Sequence, residues 1–192
     1  MDMLAAASWF VLEDDARGRW VLDYLQDAQG SRIPEAMEPG RRLPQGMLLR
    51  CPVLSSRGGL PVDFTFTPGG IPVVSVELAA RVARVAGRDV RLVPVEVIGA
   101  RGHFVALDVI AAPRCLDGRA SRGLDADGRM VSLAEGSPIV PVHLVLREEA
   151  TEGHRVLRPA ELPRALVVHG LVRDLLERER TTGVRLTPLG ST

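Results

Sequence analysis

The sequence predicts an α+β fold with a mixed, largely antiparallel sheet and two main amphipathic helices. Apolar residues recur at helical spacing in two segments, at about residues 76–86 and 170–180. Short runs rich in Val, Leu and Ile, typical of strands, flank both segments. The two strand-helix-strand patterns also resemble each other, which favours two similar supersecondary units.

The length and composition predict one globular domain. The chain has 192 residues, of which 46% are hydrophobic and 25% charged, values typical of folded domains of ordinary size. We expect a single domain over residues 1–192. Within it, residues 1–66 form a strand-rich N-terminal part, and residues 67–192 form the two units around a central hairpin.

The N-terminal part contains four strand candidates, at residues 9–12, 20–24, 47–53 and 62–66. Pro and Gly are frequent between the second and third candidates. Because both residue types favour turns, residues 30–46 are predicted to form a long loop.

The first unit begins with extended residues at Val73 and Val74. Ser75 is predicted to cap the helix at residues 76–86, and Gly87 to end it. Strands at 90–98 and 103–110 follow, joined by a short connection that predicts a hairpin.

Three further segments lie between the hairpin and the second unit. Residues 113–136 are predicted to form a surface loop with a short ordered piece at 130–133. Residues 139–146 are predicted to form a strand, and residues 147–163 a turn-like region.

The second unit repeats the pattern of the first at a constant offset. The offset is 94 residues from Val74 to Val168 and again from Val90 to Val184, and His169 takes the cap position of Ser75. We interpret the match as structural similarity between the units. Coincidence between two ordinary amphipathic helices is the alternative.

Charge and cysteine usage exclude several classes of protein. The 24 basic residues, all Arg, balance 24 acidic ones, so no overall field attracts nucleic acid or an anionic membrane. The N-terminus lacks the basic and long apolar regions of a signal peptide, and no apolar run reaches membrane-spanning length. We expect a soluble cytoplasmic protein without nucleic-acid or membrane partners, in which Cys51 and Cys115 are buried thiols.

No motif indicates a cofactor or a metal. Gly-rich phosphate loops and spaced zinc ligands are absent from the sequence. Asp125, Asp127 and Gly128 imitate part of a calcium loop, but Gly123 and Ala134 stand at its first and twelfth ligand positions. The segment therefore predicts a polar turn.

The histidines define the catalytic alternative, which is a small hydrolase or a toxin-modifying enzyme. Such an enzyme would use His143 with Asp108, and Ser75 or Cys115 as the nucleophile. No spacing selects this set, and neither nucleophile lies in a known signature. We therefore expect no catalytic residues.

Several short motifs resemble those of one bacterial family. They are Gly18-Arg19-Trp20, Pro61-Val62-Asp63-Phe64, Gly70-Ile71-Pro72-Val73-Val74-Ser75, Leu92-Val93-Pro94-Val95-Glu96-Val97, Cys115-Leu116-Asp117, Ala165-Leu166-Val167-Val168 and Thr182-Gly183-Val184-Arg185-Leu186. In these motifs the chain resembles the immunity proteins first described as domain of unknown function 1629, also called immunity protein family 11. His169 departs from the small polar cap often found in that family.

The resemblance implies an immunity protein that binds and neutralises a cognate toxin, such as a nuclease, encoded nearby. Acidic side chains that complement a basic toxin are the candidate contacts. They are Asp14, Asp15, Asp125, Asp127, Glu148, Glu149 and Glu152. The loops at 30–46, 113–136 and 147–163 are the candidate contact segments. A homo-oligomeric scaffold without a toxin is a third function, and the oligomeric state stays open.

Overall fold

A computed structural model describes residues 8–15, 20–33, 42–54, 62–124, 127, 129–134 and 140–192. It has the expected α+β fold, with two helices and mostly antiparallel sheets. The helices are α1 (Val76–Ala86) and α2 (Gly170–Arg178). The strands are β1 (Trp9–Asp14), β2 (Leu49–Pro52), β3 (Phe64–Phe66), β4 (Pro72–Ser75), β5 (Val90–Ile98), β6 (Phe104–Val109), β7 (Arg122–Leu124), β8 (Met130–Ser132), β9 (Val140–His143), β10 (Val145–Leu146), β11 (Val156–Leu157), β12 (Leu166–His169), β13 (Val184–Pro188) and β14 (Gly190–Ser191).

The first unit is a five-stranded sheet covered by α1, in the order β2-β5-β6-β4-β3. Strands β4 and β5 enter and leave the helix, and β6 lies between them, antiparallel to both. The unit is therefore a split β-α-β motif, in which the two strands joined by the helix are parallel but not adjacent. The predicted β5-β6 hairpin supplies the inserted strand.

The second unit has the same topology, but its inserted strand comes from the other end of the chain. Its sheet has the order β11-β12-β1-β13, and β1 pairs antiparallel with both β12 and β13. Strands β12 and β13 flank α2 as β4 and β5 flank α1. The expected strand-rich N-terminal part is thus divided, because β1 belongs to the second unit and β2 and β3 belong to the first.

Strand register confirms that the two units are similar. Leu92 faces Leu107 in the first unit, and Leu186 faces Leu12 in the second. The neighbouring pair in each unit joins an arginine to a carboxylate. These pairs are Arg91 with Asp108 and Arg185 with Glu13.

A shared apolar core lies between the units. Helices α1 and α2 contact each other, and both bury their apolar faces against Phe10, Leu12, Val105 and Leu107. Two outer clusters cover the opposite faces of the sheets. The cluster on the first unit contains Trp20, and the cluster on the second contains Trp9.

Each unit also binds the turn that follows the helix of the other. The buried carboxylate of Asp89, after α1, accepts hydrogen bonds from the backbone N–H groups of Arg155 (2.6 Å) and Val156 (3.2 Å) at β11. Reciprocally, the Thr182 carbonyl, after α2, accepts from the Phe64 N–H (3.2 Å). The Asp63 carboxylate accepts from the hydroxyl of Thr182 (2.8 Å). Two motifs of the sequence resemblance therefore meet at this contact.

Arg158 adds a third contact between the units. Its buried guanidinium donates to the carbonyl oxygens of Gly70 (2.5 Å) in the first unit and Pro163 (2.9 Å) in the second. Burial lowers its pKa to about 10, which still leaves the group charged at neutral pH.

Local expectations differ from the structure at four places. Residues 20–24 form only an isolated bridge, Leu22 to Val53, because no neighbouring strand pairs continuously with them. The segment predicted as a loop at 113–136 also contains β7, and its residue Cys115 is buried. The turn-like region at 147–163 contains β11, which reaches the core. Residues 140–146 divide into β9 and β10, which belong to different sheets.

The ends of the helices differ from expectation as well. Ser75 occupies the N-cap position of α1, but its side chain makes no capping hydrogen bond. Helix α2 ends at Arg178 rather than at residue 180, since Arg180 has a positive φ of 51° that is incompatible with a right-handed helix.

Gly183 allows the second unit to approach Phe64. Its φ is +90°, and a Cβ there would lie 2.0 Å from the Phe64 carbonyl oxygen. We expect Gly183→Ala to lower the free energy of unfolding by at least about 3 kcal/mol, because backbone and not a flexible side chain must move. Urea denaturation measures the change.

Gly153→Ala is the matched control. Gly153 also has a positive φ (+78°), but no described atom lies within 4 Å of the position of its Cβ. Only the backbone penalty of about 1 kcal/mol applies there. If Gly183→Ala and Gly153→Ala lowered the free energy of unfolding equally, the close contact at Gly183 would be contradicted.

Candidate binding surfaces

The outer faces of the two units differ most at their equivalent ion pairs. In the first unit the Asp108 side chain is 2% exposed, and Arg91 Nε lies 3.0 Å from its Oδ2. In the second, Glu13 is 41% and Arg185 61% exposed. Glu13 accepts hydrogen bonds from Arg185 Nε (3.2 Å) and the Thr187 hydroxyl (3.0 Å). The carboxylate of this ion pair is therefore exposed to solvent in the second unit and buried in the first.

A cleft of about 450 Å³ occupies this open face. Strands β1 and β13 form one side of it and β9 forms another. The walls are mainly apolar and include Val11, Leu12, Val142, Leu162 and Leu189. The ionisable side chains in its lining are Glu13, Asp14, His143 and Arg164. A cleft of this size and composition accommodates a few side chains of a partner.

Asp14 is a partly buried carboxylate at the edge of the cleft. Partial burial, and then the negative charge of Asp15, raise the pKa of Asp14 to about 6. Both causes act on the charged form, and a nearby cation would lower the pKa of Asp14 again.

A second acidic group surrounds a smaller pocket of about 320 Å³ at the other end of β1. Glu148 and Glu149 belong to a 3₁₀ turn, Glu148–Thr151, and Glu152 follows it. Glu148 and Glu152 line the pocket together with Trp9, Arg155 and His169. All three glutamates are exposed.

The seven predicted contact residues therefore do not form one cluster. Asp14 ends β1 and Asp15 follows it, whereas the three glutamates lie near the beginning of the strand, roughly 17 Å away for six residues. Asp127 is exposed in the turn between β7 and β8. Asp125 lies outside the described residues.

His169 caps α2 through its ring. Its Nδ1 accepts a hydrogen bond from the Leu171 N–H (3.2 Å), and the ring packs edge-on against Trp9 at 5.2 Å between centroids. Burial and the positive charge of Arg155 lower the pKa of His169. The ring is therefore neutral at pH 7, as an acceptor must be.

The structure separates the residues of the catalytic alternative. Asp108 is buried against Arg91 in the first unit, while His143 is exposed on β9 beside the cleft of the second. Neither hydrogen-bonds to the other. Cys115 is buried, as expected, and burial raises the pKa of its thiol to about 12, which disfavours the nucleophilic thiolate.

Cys51 is buried too, and its thiol donates to the Asp23 carbonyl. The described residues include no group of three or more His, Cys, Asp or Glu side chains arranged to hold a metal ion. Within the same residues, neither helix has the length and apolarity needed to cross a membrane.

Sequence reasoning missed the cleft and one apolar groove. The groove lies at the end of the β5-β6 hairpin, where Leu48, Val76 and Ile98 are exposed together. Its residues come from three elements, so no local pattern marks them. The cleft has one signal in the sequence, the Val-Arg-Leu-x-Pro repeat at 90–94 and 184–188. It aligns Arg91 with Arg185, the ion-pair partner of the cleft residue Glu13.

No family model matches this chain, and no curated protein matches it in sequence. Membership of the immunity family therefore stays a prediction that rests on the short motifs. Of those motifs, Gly18, Arg19 and Pro61 lie outside the described residues.

The cap at His169 predicts a pH-dependent stability. A lowered pKa means that the folded state favours neutral His169, so its contribution is present above about pH 6.5, the ordinary pKa, and is lost as the pH falls through the lowered value. We expect the wild type to lose stability relative to His169→Asn between pH 7.5 and pH 5, because Asn caps without titrating. Urea denaturation at both pH values measures this.

Ser75→Ala serves as the control, since Ser75 makes no side-chain cap. Ser75→Ala should lower the free energy of unfolding by less than about 0.5 kcal/mol at either pH, whereas His169→Ala should lower it by about 1 kcal/mol at pH 7.5. A constant difference between wild type and His169→Asn across this pH range would exclude the titrating cap.

Proposed function

We propose that this protein is a cytoplasmic immunity protein, which binds and neutralises a cognate bacterial toxin and so protects the producing cell and its kin. It acts by binding and is not an enzyme. The toxin is a protein encoded nearby, with a basic surface such as that of a nuclease domain. Neither nucleic acid nor a membrane is a partner.

The observation that carries this proposal is the use made of buried polar groups. Asp89, Asp108, Ser121 and Arg158 are buried, and each is hydrogen-bonded to backbone or to a side chain of this chain. These groups stabilise the fold and are not positioned for chemistry. The exposed carboxylates and the open cleft are the features that suit a partner.

The acidic groups suit a basic partner in two ways. Nucleases carry cationic surfaces because they bind phosphates, and carboxylates on an inhibitor attract such surfaces. An interface of standard size buries about 800 Å² per partner, a patch roughly 30 Å across. Such a patch covers both ends of β1, so Asp14 and Glu152 would contact one toxin molecule together.

The hydrolase alternative gains no support from the geometry, because Asp108 and His143 do not meet. His143→Ala provides a clean comparison, since His143 is exposed and the substitution should leave the fold intact.

The stoichiometry of protection tests the proposal. We expect purified toxin, expressed from the adjacent open reading frame, to lose activity in proportion to added protein and to be fully inhibited at one equivalent. A binder is consumed by its target, whereas an enzyme turns over. Residual toxin activity measured at ratios from about 0.1 to 2 gives the answer.

His143→Ala should still inhibit the toxin fully near one equivalent, because a binder does not depend on one histidine as a catalytic base. Replacing Glu148, Glu149 and Glu152 together by Gln should weaken binding without unfolding the chain, because all three side chains are exposed. Complete inhibition at a tenth of an equivalent, lost in His143→Ala, would establish the enzyme instead. Absence of any complex with the neighbouring gene product would contradict the proposed function.

A further inference from the structure

The two units agree in more than the split β-α-β motif. In the first unit β2 lies parallel to β5, and β3 pairs antiparallel with β4. In the second, β10 lies parallel to β14, which follows β13 after one residue, and β11 pairs antiparallel with β12. With β13 and β14 together in the place of β5, all five strand positions of the first sheet have a counterpart of the same direction in the second.

Equivalent strands are also separated by similar lengths of chain. The parallel pair of the first unit joins Leu49 to Val95, which are 46 residues apart. The parallel pair of the second joins Val145 to Gly190, which are 45 residues apart. These pairings are therefore equally local in the two units.

Strand β1 is the exception. In the first unit Leu107 of β6 pairs with Leu92, 15 residues away, whereas the equivalent Leu12 of β1 pairs with Leu186, 174 residues away. The other partner of Leu12 is Leu166 in β12, 154 residues away. Because the probability of closing a loop falls with about the 3/2 power of its length, the contact of Leu12 with Leu186 forms about fortyfold less readily in the unfolded chain than that of Leu107 with Leu92.

Formation of the first unit removes much of this disadvantage. The described residues of that unit extend from Trp20, in its outer cluster, to Val109 at the end of β6. Once they are packed together, much of the chain between β1 and β12 belongs to one folded body, and the loop that β1 must close is effectively shorter. The first unit gains little from the reverse order, since its own strand pairs are local.

We propose that β1 is a strap that closes last: the first unit forms in the rate-limiting step of folding, and β1 then inserts between β12 and β13. This inference goes beyond toxin binding and does not depend on it. Equilibrium unfolding stays cooperative, because the order concerns only which contacts are present when the rate-limiting barrier is crossed.

The strap also assembles the cleft. Val11 and Glu13 of β1 line the cleft on one strand, and Thr187 and Leu189, in and just after β13, line it on the neighbouring strand. Before β1 inserts, these residues are not held side by side. The cleft therefore becomes available to any partner only with the last step of folding.

The equivalent residues Leu107 and Leu12 are a matched pair for testing this order. Each is 3% exposed in the shared apolar core, and each faces a leucine of the strand that follows the helix. Stopped-flow refolding and unfolding of the full chain in urea give the kinetic φ value of each site, which is the change in the activation free energy of folding divided by the change in the free energy of unfolding. We expect Leu107→Ala to slow refolding at least about tenfold. Leu12→Ala should change the refolding rate less than about twofold and speed unfolding at least about tenfold.

Leu107→Val and Leu12→Val remove less of each side chain and give the same comparison if an alanine variant does not fold. A clearly higher kinetic φ value at Leu107 supports the late insertion of β1. Equal values at the two sites, or a higher value at Leu12, would overturn the inference. Toxin inhibition is measured with folded protein at equilibrium, so the proposed function stands or falls separately.

Discussion

The reciprocal contact between the units is the interaction on which the rest of the structure depends. The buried Asp89 side chain accepts hydrogen bonds from the backbone N–H groups of Arg155 and Val156, while the Thr182 carbonyl accepts one from the Phe64 N–H. Removing the partners of a buried carboxylate costs several kcal/mol. Neither sheet can therefore be displaced without leaving charge or backbone groups unpaired, and the shared apolar core between α1 and α2 reinforces this coupling.

The difference between the units, rather than their similarity, points to the surface that we propose for toxin binding. Both contain an arginine-carboxylate pair at the same register position, and in the first unit Arg42 and Leu43 lie beside that pair. In the second unit the equivalent wall lines the cleft, and Asp14 also belongs to the lining. The scaffold thus carries an open cleft on its second unit, and the proposed immunity function uses that cleft.

Local patterns predicted both helices and the β5-β6 hairpin, because each depends on residues close together in the chain. The 94-residue offset was visible because it compares two such local patterns. The insertion of β1 between β12 and β13 could not be predicted in this way, since Phe10 and Val168 pair across most of the chain. Strand β11 was missed because two residues carry no periodicity. For the candidate site, Asp14 was chosen by charge alone. Its cleft depends on an uncovered face, which becomes visible only when the units are compared.

The central claim is that the two units form one cooperative structure, and the two tryptophans test it directly. Trp9 reports on the outer cluster of the second unit and Trp20 on that of the first. In Trp9→Phe and Trp20→Phe, the remaining tryptophan follows the unfolding of one unit in urea. Each fluorescence transition should coincide with that of the same variant followed by far-UV circular dichroism, as two-state unfolding requires. If the urea midpoint of the fluorescence transition differed from that of the circular dichroism transition in either variant, the units would unfold separately. That result would contradict the account.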